Sequence, residues 1–217
     1  GMEKPIDISV TRAKIVQSSV TSKMLDSGIA YVALSTFGDN TTRDLRNALK
    51  ELLAQEPKGL ILDLRYNGGG YLQTAVEVTS EFINSGNVLL EQYGDGTITE
   101  YKAEKGGLAL DIPMVVLVNE GSASASEITA AALQDAGRAR LVGVTTYGKG
   151  TVQKWLPLQD DAGAVRITIA RWLTPKERQI NGAGLTPDVV VEMTEEDYAA
   201  DRDPQLDKAV DLLLQAN

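Results

Sequence analysis

The chain has 217 residues, of which 43% are hydrophobic and 24% charged, as in folded globular proteins and unlike disordered chains. Its net charge of −9 argues against nucleic acid as a partner, and no apolar run approaches the ~20 residues that span a bilayer. The sequence contains no Cys and no His, which excludes disulfides, thiolate or imidazole metal ligands and a Ser-His-Asp triad. An enzyme of this composition must move protons with Lys, Glu, Asp or Tyr.

Strand and helix patterns alternate along the chain and predict an α/β fold. The alternation at 9–16 and the β-forming residues at 28–36 predict two strands, and a helix follows from Thr41 or Thr42 to a point before Pro57. The remaining predictions are strands at 59–64, 113–119, 140–145, 151–158, 165–173 and 189–193, a hairpin at 88–105, a turn at 160–163, and helices at 72–84, 124–136 and from Pro204. Antiparallel hairpins are therefore expected beside the α/β core in the second half of the chain.

Residues 119–127 (NEGSASASE) lie where a buried strand gives way to a helix. A serine at a helix N-terminus faces free N–H groups that favour developing negative charge, so Ser124 is a candidate nucleophile, although the G-x-S-x-G pattern is not satisfied. The alternative is structural, because Ser124 and Glu127 match the S-x-x-E capping box. This segment alone leaves both interpretations open.

Two glycine-containing segments are further candidates. Residues 147–151 (YGKGT) place Lys149 between two glycines, either as a desolvated base that replaces histidine or as a solvated lysine in a plain turn. Residues 63–71 (DLRYNGGGY) end a strand with N–H groups that can face an oxyanion, or form an ordinary flexible turn. Asp63 and Arg65 are interpreted as a structural ion pair.

Three segments, DLRYNGGGYL, VNEGSASASEITAAALQDAGRARLVG and TYGKGTVQ, closely resemble the carboxy-terminal processing proteases, the Ser-Lys peptidases of family S41. The later RWLTPKERQINGAGLTPDVVV is similar to that family's strand pair ending in G-x-x-PD, and the resemblance runs from about Arg12 to the final helix. It implies an α/β core akin to the crotonase and Clp protease fold, protein or peptide substrates, no metal or organic cofactor, and an extracytoplasmic (periplasmic or cell-envelope) location.

The resemblance also implies roles for individual residues. The family's nucleophile falls on Ser124, its general base on Lys149 and a third group on Gln153. Asp135 occupies the place of an acidic residue implicated in some members. Two flanking serines are expected to shape the turn of the nucleophile: Ser122 and Ser126.

The resemblance places the oxyanion hole on backbone N–H groups. One belongs to Ala125, and the other to a glycine of the NGGG run, where Gly69 is favoured and Gly68 and Gly70 stay open. Many members have Asn-Pro-Gly-Gly at this point, so the loop of this chain is expected to be looser while it keeps every N–H donor.

The expected organisation is a cloning remnant at 1–2, the tail of a missing PDZ region and a linker at 3–20, and a peptidase core with a C-terminal helix at 21–217. Members usually carry a PDZ domain ahead of the core, and PDZ domains capture a free C-terminus. The core alone is therefore expected to cut peptides with free and amidated C-termini at similar rates.

The sequence thus predicts a serine endopeptidase that cleaves protein substrates near their C-termini through a Ser124–Lys149 dyad and an acyl-enzyme. The rival is a catalytically silent peptide-binding or scaffold module of the same fold, and the retention of Ser124, Lys149 and Gln153 favours the enzyme. An acyl-CoA enzyme of crotonase type rests only on shared architecture. The oligomeric state is not predicted.

Overall fold

The structure, a computed structural model, describes residues 18–159 and 162–215, together with Ser9 and Thr11. The predicted strand at 9–16 lies outside the described residues except for Ser9 and Thr11, as do two residues of the turn predicted at 160–163. The elements in chain order are β1 (Val20–Met24), β2 (Ala30–Leu34), α1 (Thr41–Leu53), β3 (Leu60–Asp63), α2 (Leu72–Ser80), β4 (Asn87–Tyr93), β5 (Ile98–Lys102), β6 (Met114–Val118), α3 (Ala125–Asp135), β7 (Arg140–Gly143), β8 (Thr151–Pro157), β9 (Ala164–Leu173), β10 (Val189–Val190), α4 (Glu195–Ala199) and α5 (Pro204–Gln215). The predicted α/β fold with added antiparallel hairpins is confirmed.

The larger sheet has the strand order β1-β2-β3-β6-β7-β10, in which β1 is antiparallel to β2 and all other neighbours are parallel. Every residue of β3 and β6 is buried, as expected for parallel strands with both faces covered. Leu60 and Leu62 of β3 join the core formed with α1, α2 and α3. Ile61 faces the other way and packs in a second core with Ala209 and Leu213 of α5.

The smaller sheet is antiparallel, with the order β5-β4-β9-β8. β8 is one of its edge strands and begins two residues after Lys149. Several large apolar side chains of the β8–β9 hairpin are exposed, including Trp155 and Ile167. The hairpin therefore offers apolar surface, and a strand edge that no other described strand pairs with, next to the segment that carries Lys149.

Three elements differ from the predicted ones. α2 ends at Ser80 and not at 84, because the carbonyl of Glu81 accepts the N–H of Ala109 from a neighbouring loop. β1 was not predicted, since its side chains are mostly exposed and show no alternation of burial. α4, also not predicted, has only five residues and is capped by Thr194 with Asp197.

Candidate active site

Three candidate segments of the sequence follow three neighbouring strands. β3, β6 and β7 are adjacent and parallel, so the loops after their carboxyl ends lie side by side. The NGGG run follows β3, the SASASE segment follows β6, and the GKG segment follows β7. Sheet order thus brings together segments that are far apart in sequence.

Ser124 lies at the N-terminus of α3 in a strained backbone conformation, with φ +57° and ψ −115°. L-residues rarely adopt this region, and such strain is concentrated at functional sites. Ser124 and Glu127 are arranged as a capping box, in which the Ser124 N–H donates to Glu127 Oε2 at 2.8 Å, while the Ser124 hydroxyl makes no cap hydrogen bond of good geometry. The N–H of Ala125 donates no hydrogen bond within the described residues, as is common in the first helical turn.

The two flanking serines hold this turn against the loop that follows β3. The buried Ser122 hydroxyl donates to the carbonyl of Leu64 at 2.8 Å and accepts the N–H of Asn119 at 3.0 Å. The buried Ser126 hydroxyl donates to the carbonyl of Asn67 at 2.7 Å. The expectation that Ser122 and Ser126 shape the turn is confirmed.

Gly69 approaches Ser124 so closely that no side chain fits there. Its φ is +99°, and a Cβ at this position would lie 2.7 Å from the Ala123 carbonyl oxygen, 2.8 Å from the Ala125 nitrogen and 2.9 Å from Ser124 Cβ. Its N–H, however, donates to the side chain of Asn67 at 2.9 Å. The N–H of Gly70 has no acceptor within the described residues, and Gly70 lines the same cavity as Ser124.

Glu127 is the residue of the site whose role the sequence analysis missed. Its carboxylate is fully buried and accepts four hydrogen bonds. Oε1 accepts from the Thr146 hydroxyl and the Gly148 N–H, both at 2.6 Å, and Oε2 accepts from the N–H groups of Ser124 at 2.8 Å and Lys149 at 2.9 Å. The side chain thus ties the turn of Ser124 to the segment that carries Lys149. Its only sequence signal is the S-x-x-E pattern, which predicts a cap and not these contacts.

Lys149 is positioned by close packing of its two neighbouring glycines. A Cβ at Gly148, where φ is +85°, would lie 2.7 Å from the Gly184 nitrogen, and a Cβ at Gly150 would lie 2.8 Å from two atoms of Asn181. The carbonyl of Lys149 accepts the indole N–H of Trp172 at 2.8 Å. These contacts hold the backbone of Lys149 in place. They favour the interpretation of this segment as part of a site over that of a plain turn.

Ser124, Ala125, Lys149 and Gln153 line one cavity of about 400 Å³ together with Gly70. Gln153 lies on β8, and its amide donates a long hydrogen bond of 3.5 Å to the Thr168 hydroxyl on β9. A candidate nucleophile, a candidate base and two residues whose N–H groups have no acceptor in the described part of the chain therefore line one cavity. Among the described residues, no group of His, Cys, Asp and Glu side chains is arranged to hold a metal ion.

Comparison with known sequences identifies the family, because residues 28–191 match the sequence model of peptidase family S41. The chain belongs to this family. It is 40% identical over 197 residues to a carboxy-terminal-processing protease of Bartonella bacilliformis, covering 88% of this chain and 45% of the relative. Identity to the carboxy-terminal processing protease CtpA of Bacillus subtilis is also 40%, over 89% of this chain and 41% of the relative.

A photosystem II D1 C-terminal processing protease of known structure superimposes with a TM-score of 0.76 at 36% identity, over 84% of this chain and 50% of that chain. The fold expected from the S41 resemblance is thereby confirmed. The chain spans about half the length of these relatives or less.

Asp135, which the S41 resemblance suggested as a supporting acid, lies elsewhere. It is the last residue of α3, about 15 Å along the helix axis from the first. Its carboxylate accepts the N–H of Lys176 at 2.9 Å and pairs with Arg178. The structure therefore does not bring Asp135 to Ser124 and Lys149, and its position corrects that expectation. The acidic group at the site is Glu127.

The pair of Asp63 and Arg65 is structural, as predicted. Arg65 Nη2 lies 2.7 Å from Asp63 Oδ2 and 2.8 Å from Asp203 Oδ2. None of these three residues lines the cavity of Ser124 and Lys149. Burial alone would lower the pKa of Arg65, but its hydrogen bonds to Asp203 and Asp63 raise that pKa above the usual value. The pair joins the end of β3 to the segment that leads into α5.

Proposed function

We propose that the chain is the catalytic core of a serine endopeptidase in which Ser124 is the nucleophile and Lys149 is the general base. One observation carries the proposal: Ser124, in a strained conformation at a helix N-terminus, shares a cavity with Lys149. Glu127 binds the backbone N–H of both residues and so positions them together. With no histidine in the chain, Lys149 is the lining residue that can serve as a base.

The proposed reaction follows the chemistry of acyl transfer. The neutral form of Lys149 takes the proton of the Ser124 hydroxyl, and the oxygen attacks the carbonyl carbon of the scissile peptide bond. Lys149 then protonates the leaving amine, and water hydrolyses the acyl-enzyme. In this proposal Gln153, which lines the same cavity, orients the amino group of Lys149.

The N–H groups of Ala125 and Gly70 hold the oxyanion in this proposal. Gly69, favoured on sequence grounds, already donates its N–H to Asn67, whereas the N–H of Gly70 has no acceptor within the described residues. The role of Gly69 is then steric: because it has no side chain, the loop can contact Ser124.

We further propose that the substrate is an extended segment near the C-terminus of a protein. The relatives named carboxy-terminal processing proteases support this substrate class. β8 supports the extended binding mode, because a free strand edge beside the cavity can pair with a peptide backbone.

The whole protein is proposed to carry a PDZ domain ahead of this core and to act outside the cytoplasm. The greater length of the relatives supports the first point, and the family resemblance supports the second. No helix in the described part of the chain is long and apolar enough to cross a membrane. Fractionation of cells that express the full-length protein tests the location.

A fluorophosphonate probe tests the nucleophile and separates the enzyme from a silent peptide-binding module. We expect the chain to be labelled and the Ser124→Ala variant to be unlabelled, with peptide hydrolysis lost in parallel. Ser35→Ala, a change of an exposed serine outside the cavity, is the control and should keep both signals. A folded parent chain that is never labelled and cleaves no peptide would favour the binding module.

A further inference from the structure

The cavity of Ser124 and Lys149 differs in charge from the rest of the chain. The chain has 30 Asp and Glu residues against 21 Lys and Arg, yet the described residues that line the cavity include two cations and no carboxylate. The cations are Lys149 and Arg166. Because the proposed function uses Lys149 as a proton acceptor, Arg166 is the lining group with a permanent positive charge.

Arg166 is held at the cavity wall, and no described carboxylate pairs with it. It lies on β9 directly opposite Trp155 of β8, and its guanidinium carbon is 5.8 Å from the centroid of the Trp155 ring. It forms no ion pair or hydrogen bond with any other described side chain or backbone group. Stacking on an aromatic ring orients a guanidinium plane and leaves its N–H groups available for a carboxylate.

The length of β8 between Thr151, two residues after Lys149, and Trp155, opposite Arg166, suits an extended peptide. β8 advances about 13 Å from Thr151 to Trp155, because a strand rises about 3.3 Å per residue. Apolar side chains also line this cavity, among them Val152 of β8 and Ile128 of α3. A peptide bound along β8 with its scissile bond at Ser124 would bring a group a few residues away to Arg166.

We propose that Arg166 is a specificity-determining residue that binds a carboxylate of the substrate, a few residues from the scissile bond. The carboxylate belongs either to the free C-terminus or to an Asp or Glu side chain. This inference rests on the proposed peptidase function and deepens it. It differs from the sequence-based expectation that the core alone has no preference for a free C-terminus.

The proposal is tested by measuring hydrolysis of matched peptide pairs by the unmodified chain. One set compares Asp with Asn at each of the four positions on either side of the scissile bond, and a second set compares free and amidated C-termini. We expect kcat/KM to favour the carboxylate peptide about fivefold in at least one comparison, the usual effect of one partly exposed ion pair. The ratio should fall to about one in Arg166→Gln and should invert in Arg166→Glu.

Arg171→Gln is the matched control. It removes the same charge from the same strand, but Arg171 lies outside the cavity lining and donates to the side chain of Gln92 at 2.8 Å. The parent ratio should persist in this variant. Equal rates for both peptides of every pair, or a preference that survives Arg166→Gln, would overturn the role of Arg166 while leaving the peptidase intact.

A binding measurement tests the role of Arg166 separately from the proposed peptidase activity. Fluorescently labelled peptides of the same pairs are titrated against the Ser124→Ala variant, with and without Arg166→Gln. Tighter binding of the carboxylate peptide that depends on Arg166 supports the proposal even when turnover is undetectable. Equal affinities for both peptides of every pair would count against carboxylate binding by Arg166, whether or not the parent chain hydrolyses peptides.

Discussion

At the residue scale, the contacts of the NGGG run assign different tasks to chemically identical glycines. Gly68 is exposed, and no atom lies within 4 Å of a Cβ placed on it. Gly69 lies against the backbone around Ser124, and Gly70, whose N–H has no acceptor among the described residues, lines the cavity. A side chain is therefore tolerated in one position of the run and excluded from the next.

Gly69→Ala should abolish hydrolysis and destabilise the fold by about 1–3 kcal/mol, whereas Gly68→Ala should change stability by less than about 0.5 kcal/mol. The reason is that the added methyl group would lie under 3.0 Å from three atoms of residues 123–125. The alanine would also have to adopt the positive φ of Gly69. Peptide turnover and urea unfolding of both variants check this. Normal activity in Gly69→Ala would show that the loop does not support Ser124.

Lys149→Arg should be as inactive as Lys149→Ala, with a loss of about 10²–10⁴-fold in kcat. Arginine keeps the positive charge but cannot release its proton near neutral pH, so it cannot act as a base. Single-turnover kinetics on a peptide ester and a peptide amide measure the loss. Substantial turnover by Lys149→Arg would mean that the residue supplies only charge, and the dyad would have to be abandoned.

At the element scale, the N-terminus of α3 and the segment after β7 are joined through one carboxylate. Glu127 accepts two N–H groups on one oxygen, and an N–H and a hydroxyl on the other. An amide at this position can accept on one oxygen only and would direct an NH₂ group at existing donors. Glu127 is therefore a positioning residue, since it acts through the backbone of Ser124 and Lys149.

Glu127→Gln should lower kcat on the order of 100-fold and destabilise the chain by about 2 kcal/mol, because buried donors lose their acceptor and the two elements separate. Glu120→Gln is the control, a change of an exposed carboxylate near the same turn. KM should change much less than kcat in Glu127→Gln, and the fall in kcat should persist after it is normalised to the fraction of folded protein, because unfolded molecules lower the apparent kcat without changing KM. Equal losses in both variants would refute the positioning role.

Elements with a strong burial pattern were predictable from sequence, and those without one were not. The apolar runs of β3 and β6 predict buried strands, and the Leu-rich face of α1 predicts its helix. The exposed β1 and the five-residue α4 have no such pattern. The end of α2 depends on a hydrogen bond from Ala109, a contact between segments that no local pattern records.

The candidate site was predictable to the extent that its chemistry lies in local motifs. Ser124, Lys149 and Gln153 follow from the motifs and are found around one cavity, although their catalytic roles stay predictions. The contacts of Glu127 depend on which strands are neighbours. Asp135 was suggested by the family resemblance, and the length of α3 separates it from the helix N-terminus at the cavity.

At the scale of the whole molecule, two cores cover the two faces of one sheet, and α5 closes the face opposite α1, α2 and α3. The entry to α5 is held by Asp203, which pairs with Arg65 and accepts the N–H of Leu206 at 2.9 Å. Burial alone would raise the pKa of Asp203, but the hydrogen bonds from Arg65 and the backbone lower it below the usual value. The ion pair therefore links the docking of α5 to pH.

Asp203→Asn should lower the free energy of unfolding by about 1–2 kcal/mol at neutral pH, because asparagine can still cap α5 but cannot pair with Arg65. A carboxyl whose folded pKa is depressed contributes stability that is fully present above its unfolded pKa, about 3.9, and is lost as the pH falls through the folded pKa. The difference between parent and variant should thus be constant above about pH 5 and shrink below about pH 4. Urea unfolding at several pH values measures it, with Asp211→Asn, an exposed position on α5, as the control. A difference that stays constant down to pH 2 would show that the Asp203 carboxylate does not stabilise α5 through its charge.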